Sequence, residues 1–274
     1  MSERANPYIG VSGVVRPEQQ HELQALFTEH GLEHTHQLAL GVKATHKTQF
    51  LDIDNKYGSE WFPVGDRFEA AVTPEPIFPE LHVAQVFMDP ECISDAAYRK
   101  AFIEKVARRG KAWLQAIQFD LLPWHTDGRM FEYLEEVKQD TGFNILLQAH
   151  GDSMEHYAPK ELARVLGRSA SALEYVLLDS SHGKGIRLDT NKLLPYVEAL
   201  YESPALEHVG IGIAGGLNGD VVRNELSSIV AHFPSLSWDA EGQLHPLNED
   251  GKRPVSMTAT KEYFAASSEV LNAV

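Results

Sequence analysis

Cysteine is nearly absent. The 274-residue chain carries one, Cys92, which excludes an internal disulfide framework and any zinc site built from several thiolates. Long apolar runs are missing too: no stretch approaches the roughly 20 residues needed to span a bilayer, and the opening Met1-Ser-Glu-Arg-Ala-Asn6 lacks a basic segment leading into a hydrophobic signal core. A soluble, cytoplasmic protein with no membrane partner is the expectation. Basic residues are scarce, with 24 Lys and Arg against 39 Asp and Glu and a formal net charge of −15. Such a surface repels nucleic acid and anionic membranes, which excludes both as general partners. A small anionic substrate remains compatible wherever local lysines, arginines and backbone donors outweigh the global field. Low-complexity tracts and long linkers are also lacking, so residues 1–274 are expected to form one domain.

What the chain does have is a regular alternation of short apolar runs with amphipathic stretches. Tyr8–Val15, Gln37–Val42, Leu81–Phe87, Trp113–Phe119, Phe143–Ala149, Tyr175–Leu178, His208–Ile213 and Leu236–Trp238 are expected strands. Helical patterns lie between them. Pro17 suits the first turn of a helix with Leu23, Leu26 and Phe27 on its apolar face, and His30-Gly31 supplies its stop. Further helices are expected over about 94–109, 128–140, 159–166, 192–201, 220–233 and 258–271. Eight β-then-α units imply parallel strands closed into a (β/α)₈ barrel, the TIM-barrel fold. The exception is the segment from about Lys47 to Glu80, where Gly58, Gly65 and a set of prolines predict a shortened second helix and an extended loop. That loop is expected to cap the site or to serve contacts in a homodimer.

Barrel enzymes place their chemistry at the C-terminal ends of the strands. Tyr175-Val-Leu-Leu-Asp179 is followed there by Ser-Ser-His-Gly-Lys-Gly185, so an apolar run delivers a carboxylate, an imidazole, a lysine and two glycines. Val209–Asn218 runs from a strand into Gly215-Gly216, and Leu236–Gly242 repeats the pattern with Glu241-Gly242. Glycines after a strand let backbone N–H groups approach an anion, and phosphate sites commonly form after the last two strands of a barrel. Each glycine alone is equally a simple turn residue.

Several of these runs resemble the phosphoribosylanthranilate isomerase family of tryptophan biosynthesis. Val11-Ser-Gly-Val-Val-Arg-Pro-Glu18 is similar to that family's opening strand and helix start. Leu177-Leu-Asp179 with Gly183-Lys-Gly185 resembles its strand-six aspartate and glycine-rich loop, Ala214-Gly-Gly-Leu-Asn218 matches its strand-seven phosphate loop, and Asp239-Ala-Glu-Gly242 resembles its last loop more loosely. The resemblance implies an intramolecular aldose–ketose isomerase working by an Amadori rearrangement on a phosphorylated sugar. It makes Asp179 the general acid and puts a phosphate near Gly183, Lys184, Gly185, Gly215, Gly216 and Gly242. Ser12 stands where the family has its cysteine base. A hydroxyl is a far weaker acid than a thiol, so either another base substitutes or the reaction differs. Glu241 stands where small hydroxyl residues are usual, and a carboxylate aimed inward opposes a phosphate dianion.

Read residue by residue, His182 offers a replacement base because imidazole titrates near neutrality, though an ordinary loop histidine is as plain an account. Lys43, after strand two, would contact an anion or form a Schiff base in a lyase or aldolase-like reaction; a solvated lysine is the simpler expectation. Asp120, His125, His150 and His46 follow strands and are possible metal ligands, but their spacing matches no tight motif such as His-Glu-x-x-His. No metal and no cofactor are therefore expected. Trp61, Trp113 and Trp124 would stack on an aromatic substrate or simply pack. A non-catalytic, small-molecule-binding barrel is the remaining alternative.

Overall fold

Valine, isoleucine and leucine fill the expected strands because each is covered on both faces, the outer one by helices and the inner one by the opposite wall. In the computed structural model, which describes residues 4–71, 80–110, 113–181, 188–249 and 251–274, they are β1 (Tyr8–Ser12), β2 (Gln37–Thr45), β3 (Glu80–Phe87), β4 (Ala116–Phe119), β5 (Asn144–His150), β6 (Leu173–Asp179), β7 (Gly210–Ala214) and β8 (Ser237–Ala240). All neighbours are parallel, and the order β1 to β8 closes on itself through Ile9↔Trp238, Gly10↔Asp239 and Val11↔Ala240.

The helices are α1 (Pro17–Glu29), α2 (His46–Gln49), α3 (Asp66–Ala71), α4 (Pro90–Ser94), α5 (Ala96–Gly110), α6 (Arg129–Thr141), α7 (Gly151–His156), α8 (Pro159–Leu166), α9 (Thr190–Tyr201), α10 (Gly219–Val221), α11 (Ser227–Val230) and α12 (Met257–Asn272). As expected, the second unit is the irregular one, with two short helices separated by residues 50–65. Between α10 and α11 the chain widens into a π-helical turn at Val222–Leu226, so the expected helix over 220–233 is broken into three pieces. None of the helices among the described residues is long and apolar enough to cross a membrane.

Most strand limits shift by a few residues from the sequence reading, β1 ending at Ser12 and β2 running on to Thr45, and two of the shifts change what a residue does. Trp113 does not open a strand: its N–H donates to Gly110 O at 2.9 Å, prolonging the turn that ends α5, and β4 begins at Ala116. Strand β8 runs on past Trp238, because Asp239 and Ala240 pair with Gly10 and Val11, and this carries Asp239 inside the barrel wall.

Alternation along each strand sorts side chains into two cores. Outward residues such as Val11, Leu40, Ile117, Leu147, Val176, Ile211 and Trp238 pack beneath the helices. Inward residues at the N-terminal end, Tyr8, Ala39, Leu81, Val83, Ala116, Leu146 and Tyr175, form a separate apolar plug. Above the plug the interior turns polar, so the barrel is sealed at one end and chemical at the other. Phe264 of α12 is fully buried edge-to-face on Phe27 of α1 at 5.3 Å between ring centroids. Phe264→Ala is expected to lower the unfolding free energy by about 3–5 kcal/mol in urea titration, the range for an aromatic deletion in a close-packed core.

Candidate functional site

Inward positions at the C-terminal strand ends bring Ser12, Lys43, Gln85, Gln118, Asp120, Gln148, Asp179 and Asp239 together, with Glu241 just past β8. All but Ser12 and Gln85 line one or both of two adjoining spaces that share Asp120, Gln148, Asp179 and Glu241. The outer one, about 820 Å³, is bounded by Lys43, Asp120, Gln148, Asp179 and Glu241 and by the loop after β2. A deeper one of about 130 Å³ adds Trp61, Ser181, Gly215, Gly216, Asp239 and Gly242.

Lys43 is buried, correcting its reading as a solvated lysine. Its Nζ donates to Glu241 Oε2 at 2.8 Å and to Asp120 Oδ2 at 3.3 Å. Burial alone would lower its pKa, but the two carboxylates outweigh that and raise it above the ordinary lysine value. Asp120 is pushed up by burial and by Glu241, with Lys43 and the Gln118 amide, 2.8 Å away, opposing. Glu241 therefore points into the mouth, where it is the partner of Lys43.

Across the mouth, the Ser12 hydroxyl lies 3.1 and 3.0 Å from the two Asp239 oxygens and donates to that carboxyl. Gln85 Nε2 donates to Ser12 Oγ and, at 3.3 Å, to Asp239 Oδ2. Burial, reinforced by the charge of Glu241, pushes Asp239 up to about 7, against the lowering effect of the Ser12 hydrogen bond. Ser12 thus does not stand alone as a base, since its proton is directed at Asp239; the group raised toward neutrality is that carboxyl, which lines the inner space with Ser12 behind it. The His245 ring, stacked on Trp61 at 4.9 Å, contacts Ser12 O through Nε2 at 2.7 Å and ties the segment after β8 to the end of β1.

Asp179 ends β6 and is buried. It accepts hydrogen bonds from Gln148 Nε2 at 2.7 Å, Ser181 N at 2.8 Å and Ser181 Oγ at 2.6 Å, which fix its direction. Gly215 and Gly216 follow β7 with φ of 100° and 66°, and a Cβ on Gly215 would stand 2.5 Å from Asp179 Oδ1. Glycine there serves both the turn and the close approach of the acid. Gly215→Ala should cost about 1–3 kcal/mol in a thermal or urea melt, the scale of a strained backbone position, and displace Asp179. An unchanged melt would show that the loop absorbs the side chain. Gly242 opens a 3₁₀ turn, Gly242–Leu244, onto open space. His182, Gly183, Lys184 and Gly185 lie outside the described residues.

The four histidine and aspartate candidates for a metal do not converge as a set. Asp120 belongs to Lys43, His125 and His150 adjoin each other with ring centroids 5.1 Å apart, and His46 contacts Asp89 instead. Trp124 is core, donating Nε1 to Gln148 O at 3.2 Å, and Trp113 packs on the same apolar shell, so of the three tryptophans Trp61 alone lines the site.

Sequence reasoning passes over Asp239 as a titrating group and over the glutamine tier. A signal for the glutamines is present: Ala84-Gln-Val86, Ile117-Gln-Phe119 and Leu147-Gln-Ala149 each bury an amide in the middle of an apolar strand. The carboxyls of Asp239, Asp120 and Asp179 accept from their Nε2 atoms, while Oε1 of Gln85 and of Gln148 is buried without a hydrogen-bond partner among the described residues.

No protein-family model and no curated protein matches the chain. Solved structures do. The tryptophan synthase alpha chain of Legionella pneumophila subsp. pneumophila is 15% identical, with a TM-score of 0.51 over 100% of this chain and 93% of that one. A truncated 3-deoxy-D-arabino-heptulosonate 7-phosphate synthase from Thermotoga maritima is 15% identical, with a TM-score of 0.52 over 98% and 88%. The N-acetylneuraminic acid synthetase of Leptospira borgpetersenii serovar Hardjo-bovis is 11% identical, with a TM-score of 0.51 over 98% and 85%. The chain is a (β/α)₈ barrel. Identities this low establish the fold alone, and the resemblance to phosphoribosylanthranilate isomerases rests on the motif residues.

Proposed function

We propose that this barrel catalyses an aldose–ketose type isomerisation, moving a proton between adjacent carbons of a small hydroxylated carbonyl substrate. The observation that carries it is the Asp239–Ser12 pair: a buried carboxyl with a pKa of about 7, in the mouth of a barrel that also presents Asp179 and Lys43. A base poised near the working pH is what proton abstraction next to a carbonyl requires. Asp239, which lines the inner space, takes the carbon-bound proton, and the Ser12 hydroxyl behind it orients the carboxyl. Asp179 exchanges the proton at the substrate oxygen, the role the family resemblance gives it, and Lys43 remains a fixed positive charge near the developing enolate.

The glycines support the phosphorylated form of the substrate. Gly215 and Gly216 with Gly242 would receive the phosphate, with Gly183, Lys184 and Gly185 completing the loop as the resemblance implies. Four carboxyls line the same space, Asp120, Asp179, Asp239 and Glu241, and favour keeping the dianion at the rim, away from the reacting atoms. Leu51, Ile53, Tyr57 and Leu121 are exposed at the edge of the outer space and suit an apolar or aromatic substituent.

A Schiff-base lyase is less well supported, because the nucleophile must be a neutral amine and Lys43 is held charged by Asp120 and Glu241. Borohydride added with carbonyl substrates should leave the Lys43 peptide unmodified in mass spectrometry; trapping at Lys43 would move the assignment to the lyase. The direct test is NMR-detected uptake of solvent deuterium at the carbon next to the carbonyl, across aldoses, aldose phosphates and N-aryl aminoaldose phosphates. Exchange by the native protein supports isomerisation. Binding without exchange would favour the non-catalytic barrel, and neither binding nor exchange would remove the substrate class.

A further inference from the structure

A second group of reactive side chains stands at the edge of the outer space. His46 opens α2 directly after Thr45, the last residue of β2, and Asp89 and Cys92 flank the start of α4, just past β3. Register Thr45↔Phe87 sets the two strand ends side by side. Asp89 and Cys92 are three residues apart on one turn, closed by Cys92 N and Ile93 N donating to Asp89 O at 2.9 and 3.1 Å, so both side chains leave the same face. His46 Nδ1 is 3.4 Å from Asp89 Oδ2, and one ligand atom from each of His46, Asp89 and Cys92 lies within 4.8 Å of the others.

We propose that His46, Asp89 and Cys92 bind a divalent metal ion of the zinc class, with one coordination position left open toward the cavity. An imidazole, a carboxylate and a thiolate form a mixed donor set that suits borderline-soft Zn²⁺ or Co²⁺, whereas Mg²⁺ and Ca²⁺ prefer oxygen alone. Tetrahedral bonds of about 2.0–2.3 Å put ligand atoms roughly 3.3–3.8 Å apart. The three atoms need to close by about 1 Å, which the partly exposed Asp89 side chain can provide by rotation. The imidazole is preset by the rings of Tyr98 and Phe50, at 5.0 and 5.8 Å between centroids. Its Nε2 is buried without a hydrogen-bond partner among the described residues, so no protein acceptor there fixes the ring's tautomer.

Three protein ligands with an open fourth position is the pattern of catalytic zinc sites, as opposed to closed structural ones. Asp89 also lines the outer space, so the open position would be reached from the side on which substrate enters. The site shares no residue with Ser12, Asp179 or Asp239 and stands or falls separately from the isomerase reading. No metal is expected from the sequence, and of the four residues weighed there as possible ligands only His46 belongs to this site.

The test is titration of metal-stripped full-length protein with Co²⁺. One equivalent should bind with a thiolate-to-cobalt charge-transfer absorption, which this chain can produce only through Cys92, its single cysteine. Zn²⁺ should displace the cobalt. Cys92→Ser should abolish the band, and Asp89→Asn and His46→Gln should each weaken binding by about tenfold or more, the least expected when a metal's supporting groups are altered. Should any variant fail to fold, X-ray absorption of the native zinc-loaded protein decides instead, with one sulfur neighbour at about 2.3 Å beside lighter atoms at about 2.0–2.2 Å. Absence of the charge-transfer band, its survival in Cys92→Ser, unchanged affinity in the other two folded variants, or a zinc shell without sulfur would each overturn the proposal.

Discussion

Asp239→Asn is expected to lower kcat/KM for the isomerised substrate by about 10²–10⁴-fold, the usual contribution of a positioned general base. In the native protein the rate should rise with pH and level off above about 7, as Asp239 ionises. The residual rate of the variant should show no such inflection. Stability should move the opposite way. The carboxyl rises from an ordinary 3.8 to about 7 on folding, so below about pH 4 it is neutral in both states and contributes nothing. Between about 4 and 7 the unfolded chain gains from ionisation while the folded one does not, and above 7 the whole penalty is present. About three pH units correspond to at most about 4 kcal/mol. Asp239→Asn should therefore be more stable than the native protein at pH 8, by up to that amount in urea titration, with the advantage fading toward pH 4. A gain in stability with a loss of rate is the signature of a group kept in place for chemistry; a loss of both would make Asp239 a structural residue.

Lys43→Met should be strongly destabilising, on the same scale as Phe264→Ala. The lysine side chain is 9% exposed, and its partners Asp120 and Glu241 are 15% and 33% exposed. Removing the cation leaves two carboxyl groups together with little water to screen them. Breaking a buried pair in this way costs about 3–5 kcal/mol. The loss should shrink as the pH falls and the carboxyls take up protons. It should also be largely recovered in the triple variant Lys43→Met, Asp120→Asn, Glu241→Gln, which removes the stranded charges as well as the cation. A loss below about 1 kcal/mol, typical of exposed ion pairs, would mean that water reaches all three groups.

The barrel was legible in the sequence because its signal is local and repeated. Runs such as Leu38–Val42 and Val209–Ile213 are apolar at consecutive positions, as strands buried on both faces must be, and each is followed by a helical pattern. Limits were misplaced where tertiary pairing decides them: Trp113 looks like strand but continues a turn, and Asp239 looks like loop but completes the β8 ladder against β1. Asp179 was visible because it ends an apolar strand, where a carboxylate is costly to bury and sits on the face that barrels use for chemistry. The state of Lys43 was not, since its partners lie 77 and 198 residues away along the chain. Asp239 was hidden for the same reason, its pKa depending on burial inside the closed barrel and on Ser12, 227 residues distant. Positions at strand ends can be read from pattern, whereas protonation states arise only when the barrel closes.

The measurement that bears most directly on the central claim is a carbon-13 NMR titration of the side-chain carboxyl groups, with the Asp239 resonance assigned by its disappearance in Asp239→Asn. A midpoint near 7 for Asp239 is the predicted result, and it would establish a base poised for proton transfer in the barrel mouth. A midpoint near 4, in the ordinary aspartate range, would contradict it and leave the Ser12–Asp239 pair as a structural hydrogen bond.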